Sequence, residues 1–249
     1  MARIDEEVFI CLDCETTGLD PIKDRIIEVA AVRFTTSEIL DTFESLIDPE
    51  CLIPQASIDI HNITQQMVEG KPKIDAILPD LITFMGGHII IGHGIQFDID
   101  IVVNAAERHK LPHSLRKNRS LDTLRMARLY GESPVNSLEQ LRKHFNIAFE
   151  GTHRAMGDAL VNLEVFRRLA KFYQSSDQIF AALSRPILFK IMPLGKHKGR
   201  PLKDLPQDYL LWAARQEYDQ DLLFSLRTEV NRRKQGNSFS TATNPFSNL

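Results

Sequence analysis

Apolar residues fall first into short unbroken runs and later at three- and four-residue steps. The chain therefore reads as strands, then strands alternating with helices. Val8 to Cys14 (VFICLDC) is apolar and rich in β-branched residues, and it stops at the turn residues Thr16-Thr17-Gly18 and Asp20-Pro21. Ile26 to Phe34 and Ile39 to Ile47 repeat the pattern, which predicts a three-stranded antiparallel meander. Helical spacing follows over about Ile74 to Met85, with a kink expected at Pro79, and over Phe97 to Arg108. Between them His88 to Ile91 reads as a short buried strand. Ser120-Leu121-Asp122-Thr123 leads into another helix, and Ser137 with Gln140 three residues on has the form of a capping box. In the longest helix, about Ala155 to Tyr173, Ala159, Leu163, Phe166, Leu169 and Ala170 form one apolar stripe. This order predicts an α/β fold, a mixed sheet with helices on both faces.

The pattern breaks near Ser175-Ser176 and again near Arg185-Pro186. Residues 1–176 are expected to form one domain and residues 186–234 a small basic α+β module. The module should hold a strand (Ile187 to Met192), a Gly-flanked loop (Gly195-Lys196-His197-Lys198-Gly199-Arg200-Pro201) and two helices. Residues 235–249 are rich in Ser, Asn and Thr and carry no charge, so a disordered tail is expected.

Composition alters this picture only at two points. With 43% apolar and 25% charged residues, the 249-residue chain is that of a globular protein with material for a full core. No apolar run reaches the ~18 residues of a membrane span, and Met1 to Glu7 is too acidic for a signal peptide, so a cytoplasmic protein without a membrane partner is expected. Three cysteines argue against a disulfide framework. Cys11 and Cys14 spell C-x-x-C, but positions i and i+3 of a strand face opposite ways, so buried core thiols are the better reading. Charge is the second point. The net −3 divides into 20 basic and 27 acidic side chains (−7) over residues 1–189 and 10 basic and 6 acidic (+4) over residues 190–234. An acidic body with a basic appendage suits an enzyme that neutralises its carboxylates with metal and holds a phosphate backbone elsewhere.

The candidate chemistry is carboxylate chemistry. Asp13 and Glu15 stand two apart at the end of the first strand and leave the same face. Two acids in an apolar strand repel at close range, and a divalent cation such as Mg²⁺ or Mn²⁺ resolves the cost. Taken alone, the pair also fits a solvated turn. Asp98 follows Gly92-His93-Gly94-Ile95-Gln96-Phe97 at the first turn of a helix, where an acid also suits the helix dipole. His153 and Asp158 converge only if His153 lies on the loop before the long helix, which Gly151-Thr152 permits.

Three segments together resemble the motifs of the DnaQ-like 3′→5′ exonuclease family, histidine subclass: Asp13-Cys14-Glu15-Thr16-Thr17-Gly18, His93-Gly94-Ile95-Gln96-Phe97-Asp98 and His153-Arg154-Ala155-Met156-Gly157-Asp158. The resemblance implies a ribonuclease H-like fold, a five-stranded mixed sheet flanked by helices. It implies two Mg²⁺ ions, with Mn²⁺ as a substitute, held by Asp13, Glu15, Asp98 and Asp158, and His153 as general base. It also implies substrate binding by Thr16, Thr17, Gly18, Leu19 and His61. Gly94 stands where the family usually has Asn, which removes an amide contact and loosens substrate positioning without touching a metal ligand; Ile60-His61-Asn62-Ile63-Thr64 has Asn62 where the family has Gly, and both tolerate a left-handed backbone. Asp122-Thr123 matches a recurrent family element that also reads as a helix cap.

Residues from Met192 through Trp212 resemble a C-terminal module of some exonuclease X-like proteins. Lys196, Lys198 and Arg200 could there grip phosphates, while Tyr209, Trp212 and Ala213 at i, i+3 and i+4 read as core. Gln220-Asp221-Leu222-Leu223-Phe224 is similar to a sliding-clamp docking motif, but its apolar positions continue to Leu226 and Val230 as in a packed helix. The expected partners are single-stranded 3′ ends, DNA before RNA, with a replicative polymerase or sliding clamp as protein partner. Repair and proofreading are the expected settings, and a non-catalytic scaffold is the competing class.

Overall fold

The computed structural model describes residues 3–131, 136–148 and 154–241. The meander forms as expected: β1 (Phe9–Thr16), β2 (Ile26–Phe34) and β3 (Ile39–Leu46) pair antiparallel. After α1 (Gln55–His61), α2 (Gln65–Val68) and α3 (Ile74–Met85), β4 (Ile89–Gly92) joins β1 in parallel. α4 (Gln96–Arg108) then leads to β5 (Ser120–Asp122), parallel to β4. The sheet order is β3-β2-β1-β4-β5. α5 (Thr123–Tyr130), α6 (Leu138–His144), α7 (Ala155–Ala170) and α8 (Ser176–Leu183) follow. This is the mixed five-stranded α/β sheet of the ribonuclease H-like fold.

Strand alternation sorts β1 into two faces. Ile10, Leu12 and Cys14 belong to the core that Leu78, Leu81 and Met85 of α3 and Val102 and Val103 of α4 complete. Phe9 and Cys11 turn to α7: the Phe9 ring meets Phe166 at 5.1 Å and Phe34 at 5.7 Å, and the Cys11 thiol donates to the Ala159 carbonyl at 3.2 Å. The stripe Ala159, Leu163, Phe166, Leu169 and Ala170 is buried throughout. By the same alternation Asp13 and Glu15 leave β1 on the α7 face. Cys11, Cys14 and Cys51 are free, and the first two are buried core thiols.

Contacts divide the chain into two units, residues 1–182 and 183–249. In the second, Met192, Leu202, Leu205, Leu210, Ala213, Leu222, Leu226 and Val230 make a small core around α9 (Gln207–Ala213) and α10 (Gln220–Thr241). The strand expected over Ile187 to Met192 is absent. Only an isolated bridge, Ile191 with Pro201, forms there, flanked by Met192 N–H to the Arg200 carbonyl and Leu202 N–H to the Lys190 carbonyl, while the amides of Ile187 and Phe189 are taken by the Asp221 and Ser225 side chains. Leu222 is fully buried, so the clamp-like segment packs as a helix. The backbone of α10 runs on to Thr241 where a disordered tail is expected from residue 235; an established helix extends at one hydrogen bond per residue fixed. Ser137 is the N-cap of α6, but its hydroxyl caps nothing, so the expected box is not made. Among the described residues no helix is long and apolar enough to cross a membrane.

Candidate active site

β1 outruns its parallel neighbour. β4 pairs only with Phe9, Ile10 and Cys11, so the strand continues through Asp13 and Glu15 with an open edge on that side. Asp98, in the first turn of α4, closes the edge: its Oδ1 accepts the Cys14 amide at 2.9 Å. On the α7 face, Asp13, Glu15 and Asp158 each bring a carboxylate oxygen to within 4.8 Å of the others. The structure thus gathers the four acids of the three motifs at one end of the sheet.

These acids are held against their ionisation. Burial, then the charges of Asp98, Asp158 and Glu15, push Asp13 well above the usual carboxylate range. Burial, with Asp158 and Glu28 behind it, pushes Glu15 up to about 7. Asp98 also rises to about 7, chiefly through burial, although the Cys14 amide pulls the other way. Repelling acids with oxygen ligands only are a donor set for a hard divalent cation, and the residues present fit one.

Glu28 and Arg154 were not singled out in the sequence, yet they position Asp158. Glu28 lies opposite Glu15 in the β1–β2 register and is fully buried. Its carboxylate accepts both Nε and Nη2 of Arg154, and Oε2 also accepts the Ala155 amide at 3.0 Å. The anion therefore satisfies an open N–H at the start of α7, three residues before Asp158. The only local signal was an acid inside the apolar run IIEVAAVRF.

A second buried link ties the other motifs together. The Thr123 hydroxyl lies 2.5 Å from Asn162 Oδ1 and 3.1 Å from both the Gly92 carbonyl and His93 Nδ1. Asn162 Nδ2 in turn donates to the Cys11 sulfur. Asp122 caps α5 through the Leu124 amide and accepts the Gly94 amide, both at 2.9 Å. Asp122-Thr123 is thus a cap that also fastens the second motif. Gly94 has φ +76°, a conformation that Asn also tolerates, and Asn62 has φ +59° at the end of α1.

The loop after β1 is tightly tied. The Thr16 hydroxyl donates to the Gly18 carbonyl at 2.7 Å, the Thr17 hydroxyl to Asp24 at 2.8 Å, and Ser57 to the Thr17 carbonyl at 2.8 Å. A Cβ on Gly18 would stand 2.5 Å from Asp24 Oδ2, so a larger residue would displace the carboxylate that ties Thr17 and the Asp20 amide. Leu19 is 87% exposed at the tip, whereas His61 is 2% exposed and accepts the Ile63 amide through Nδ1. Burial holds His61 below its ordinary value, so the ring is a neutral support beneath the loop. His153 lies outside the described residues. Lys196, Lys198 and Arg200 are exposed on the second unit.

Comparisons with known proteins agree with this geometry. The family model described as Exonuclease (RNase T) matches residues 10–166, and residues 183–227 match a model described as "Putative quorum-sensing-regulated virulence factor". A DNA polymerase III PolC-type protein of Clostridium perfringens is 34% identical over 164 residues, 65% of this chain and 11% of that protein. The DNA polymerase III subunit epsilon of Aquifex aeolicus is 32% identical over 162 residues, 65% of this chain and 79% of that one. The chain thus spans about a tenth of the length of the PolC-type relatives it matches. Among solved structures, exonuclease X in complex with 5′ overhanging duplex DNA superposes with a TM-score of 0.57 at 23% identity, covering 70% of this chain and 99% of the other. Exonuclease I does so at 0.63 and 23%, covering 71% and 44%. Enzymes of this fold depend on a divalent metal, for which the acid cluster is the matching feature. Through residues 10–166, the chain belongs to the DnaQ-like 3′→5′ exonuclease family.

Proposed function

We propose that this chain removes nucleotides from the 3′ ends of DNA, with Asp13, Glu15, Asp98 and Asp158 as ligands for two Mg²⁺ ions. The observation that carries the reading is the convergence of Asp13, Glu15 and Asp158 oxygens within 4.8 Å. DNA is favoured because the relatives are DNA polymerase III proteins and the exonuclease X structure holds a DNA duplex with an overhang.

In this reading Asp13 and Glu15, fixed by β1, and Asp158, fixed by the Glu28–Arg154 clamp, present oxygens toward the reacting phosphodiester. When bound, the ions acidify the attacking water and neutralise charge on the leaving 3′-oxygen. Asp98 keeps its carboxyl aligned through the Cys14 amide. His153 accepts the water's proton as general base, a role for which imidazole suits because free histidine titrates near neutral pH. The rigid Thr16–Gly18 loop cradles the terminal nucleotide, and exposed Leu19 wedges beside its base. The protein partner to test is a replicative polymerase, since buried Leu222 makes the clamp-like segment a packing element.

Digestion of matched 3′-labelled DNA and RNA strands with Mg²⁺ tests both chemistry and substrate. Stepwise loss from the DNA 3′ end, abolished in Asp13→Ala, is expected. Equal digestion by the variant would sink the mechanism, and faster digestion of RNA would move the substrate class. Co-purification with a polymerase separates a proofreader from a free-standing repair enzyme in the cytoplasm.

A further inference from the structure

Trp212 is the one tryptophan of the chain, and it is 52% exposed. Its helix does not need it for packing: Leu210 and Ala213 of α9 are fully buried and face the small core, while Trp212 points away from it. Helical spacing predicts Tyr209, Trp212 and Ala213 in that core; Tyr209 packs partly against it, whereas Trp212 is left in solvent. The two rings stand 5.4 Å apart at a 40° tilt. Tyr209 meets the His197 ring edge-on at 4.4 Å, and Lys196 Nζ lies 5.4 Å from the Tyr209 centroid. With Gly195, Pro206, Tyr218 and one acid, Asp208, these side chains border an open cleft of about 650 Å³.

The basic loop is built to show its cations beside this cleft. Gly195 (φ +72°) and Gly199 (φ +85°) take left-handed turns. Lys198 N–H donates to the Gly195 carbonyl at 3.0 Å, and the base is closed by Met192 N–H to the Arg200 carbonyl and Gly199 N–H to the Met192 carbonyl, each 2.8 Å. A Cβ on Gly195 would come within 3.4 Å of the Tyr209 hydroxyl, so the loop backbone lies close against that ring. Lys196, Lys198 and Arg200 all reach solvent, and among the described residues no carboxylate pairs with any of them. Arg200 instead leans on its own loop, 3.3 Å from His197 Nδ1 and from the Asp204 carbonyl. An exposed indole flanked by a half-buried phenol ring, next to unpaired cations, matches one polymer, a strand whose bases are unstacked and whose backbone is anionic.

We propose that this face of the second unit is a platform for single-stranded DNA, on which bases stack against Trp212 and Tyr209 while Lys196, Lys198 and Arg200 hold phosphates. The proposal borrows only the class of ligand from the reading of the first unit. It requires none of the carboxylates, so the two can fail separately. An acidic peptide shares the charge but lacks the stacking surfaces, and it serves as the competing outcome.

Because Trp212 is the sole tryptophan, its emission reports this face in the full chain. With EDTA present to prevent digestion, titration with an oligothymidylate is expected to quench Trp212 and shift its emission. An abasic strand of equal length should bind more weakly and quench little. Anisotropy of a labelled strand should show Trp212→Ala binding roughly 5- to 100-fold more weakly. Trp212→Phe, which keeps a ring, should recover most of that loss. Replacing Lys196, Lys198 and Arg200 together by Ala should reduce the salt slope of binding by about 2. Circular dichroism and the Trp212→Phe result separate a lost platform from a lost fold. Absence of quenching overturns the proposal, as does equal quenching by the abasic strand or by polyglutamate. Asp13→Ala should leave the quenching intact, and unaltered quenching in that inactive variant is the sign that the platform stands apart from the nuclease site.

Discussion

Two acids gripped by arginines show how differently the two units use charge. Glu28 is fully buried in β2, and its carboxylate takes both the Arg154 guanidinium and the Ala155 amide at the start of α7. Glu229 lies along α10, holding Arg232 at 2.7 Å and Arg233 at 2.8 Å, with the Arg232 side chain 63% exposed. The first pair aims a backbone segment, and with it Asp158; the second lies along one helix, from which Arg233 also reaches the Leu202 and Lys203 carbonyls. In the first unit, charge is buried where chemistry is done, and each buried charge has an assigned partner or a place in the acid cluster. In the second unit most charge lies on the surface around a small apolar core of Leu210, Leu222 and Leu226, with Asp221 and Glu229 as buried exceptions that tie backbone and helix rather than form an acid cluster.

The strongest way to break this contrast is at Asp13. Asp13→Asn keeps the size of the side chain and removes the charge a cation needs, so hydrolysis should fall by about a thousandfold, roughly 4 kcal/mol of barrier. The same change relieves repulsion among buried acids, so metal-free thermal stability should hold or rise. A single calorimetric scan beside the activity assay checks both, and a variant that unfolds easily while inactive would mean Asp13 is structural.

Metal should separate the units next. A divalent ion bound only by the folded acid cluster stabilises by mass action, about 2.7 kcal/mol at a hundredfold excess over its Kd. Mg²⁺ should raise the melting temperature of the full chain, while Asp13→Asn should gain almost none of that increase. An equal gain in both proteins would place the ion elsewhere.

Glu28→Gln tests the clamp. Arg154 is 42% exposed and can turn to water, so the cost should lie below the 3–5 kcal/mol of a fully buried pair, at about 2 kcal/mol. Since the Ala155 amide loses an ionised acceptor, α7 should start less firmly, and Mg²⁺ affinity should drop with stability. Loss of stability with unchanged metal affinity would reduce the pair to a structural role. Calorimetry with and without Mg²⁺ makes the distinction.

Much of this was legible in the chain, and the limits have physical causes. Asp13, Glu15, Asp98 and Asp158 stood out because they sit in short motifs at element ends, where neighbouring residues alone set the local geometry. The α7 stripe was legible for a similar reason, since a 3.6-residue period is local. Glu28 was not, because its partner is 126 residues away and pairing across such a distance leaves no local trace. Ile187 to Met192 has the composition of a strand, but a strand also needs a backbone partner along its length, and here the Ile187 and Phe189 amides go to the distant Asp221 and Ser225 side chains instead. Spacing put Tyr209, Trp212 and Ala213 on one face; it could not say how far the core extends around the helix, and the core stops at Ala213.

The smallest effect should come from Glu229, and its sign follows from its titration. Hydrogen bonds from Arg232, and then from Arg233, hold the carboxyl down at about 2 against the opposing cost of its partial burial. A depressed folded pKa contributes stability that is fully present above the unfolded value of 4.5 and is lost as pH falls from there through about 2. Arg232 is largely in water although Arg233 is not, so the contribution should be about 1 kcal/mol. Glu229→Gln should therefore lower stability slightly at pH 7, and the gap between variant and parent should narrow as unfolding is repeated at pH 5, 4 and 3. For Glu28→Gln the gap at pH 7 should be about twice as large, since its carboxylate also holds the Ala155 amide. If the Glu229 gap proved the larger of the two, charge in the second unit would be holding the fold, and the division of labour drawn between the units would be wrong.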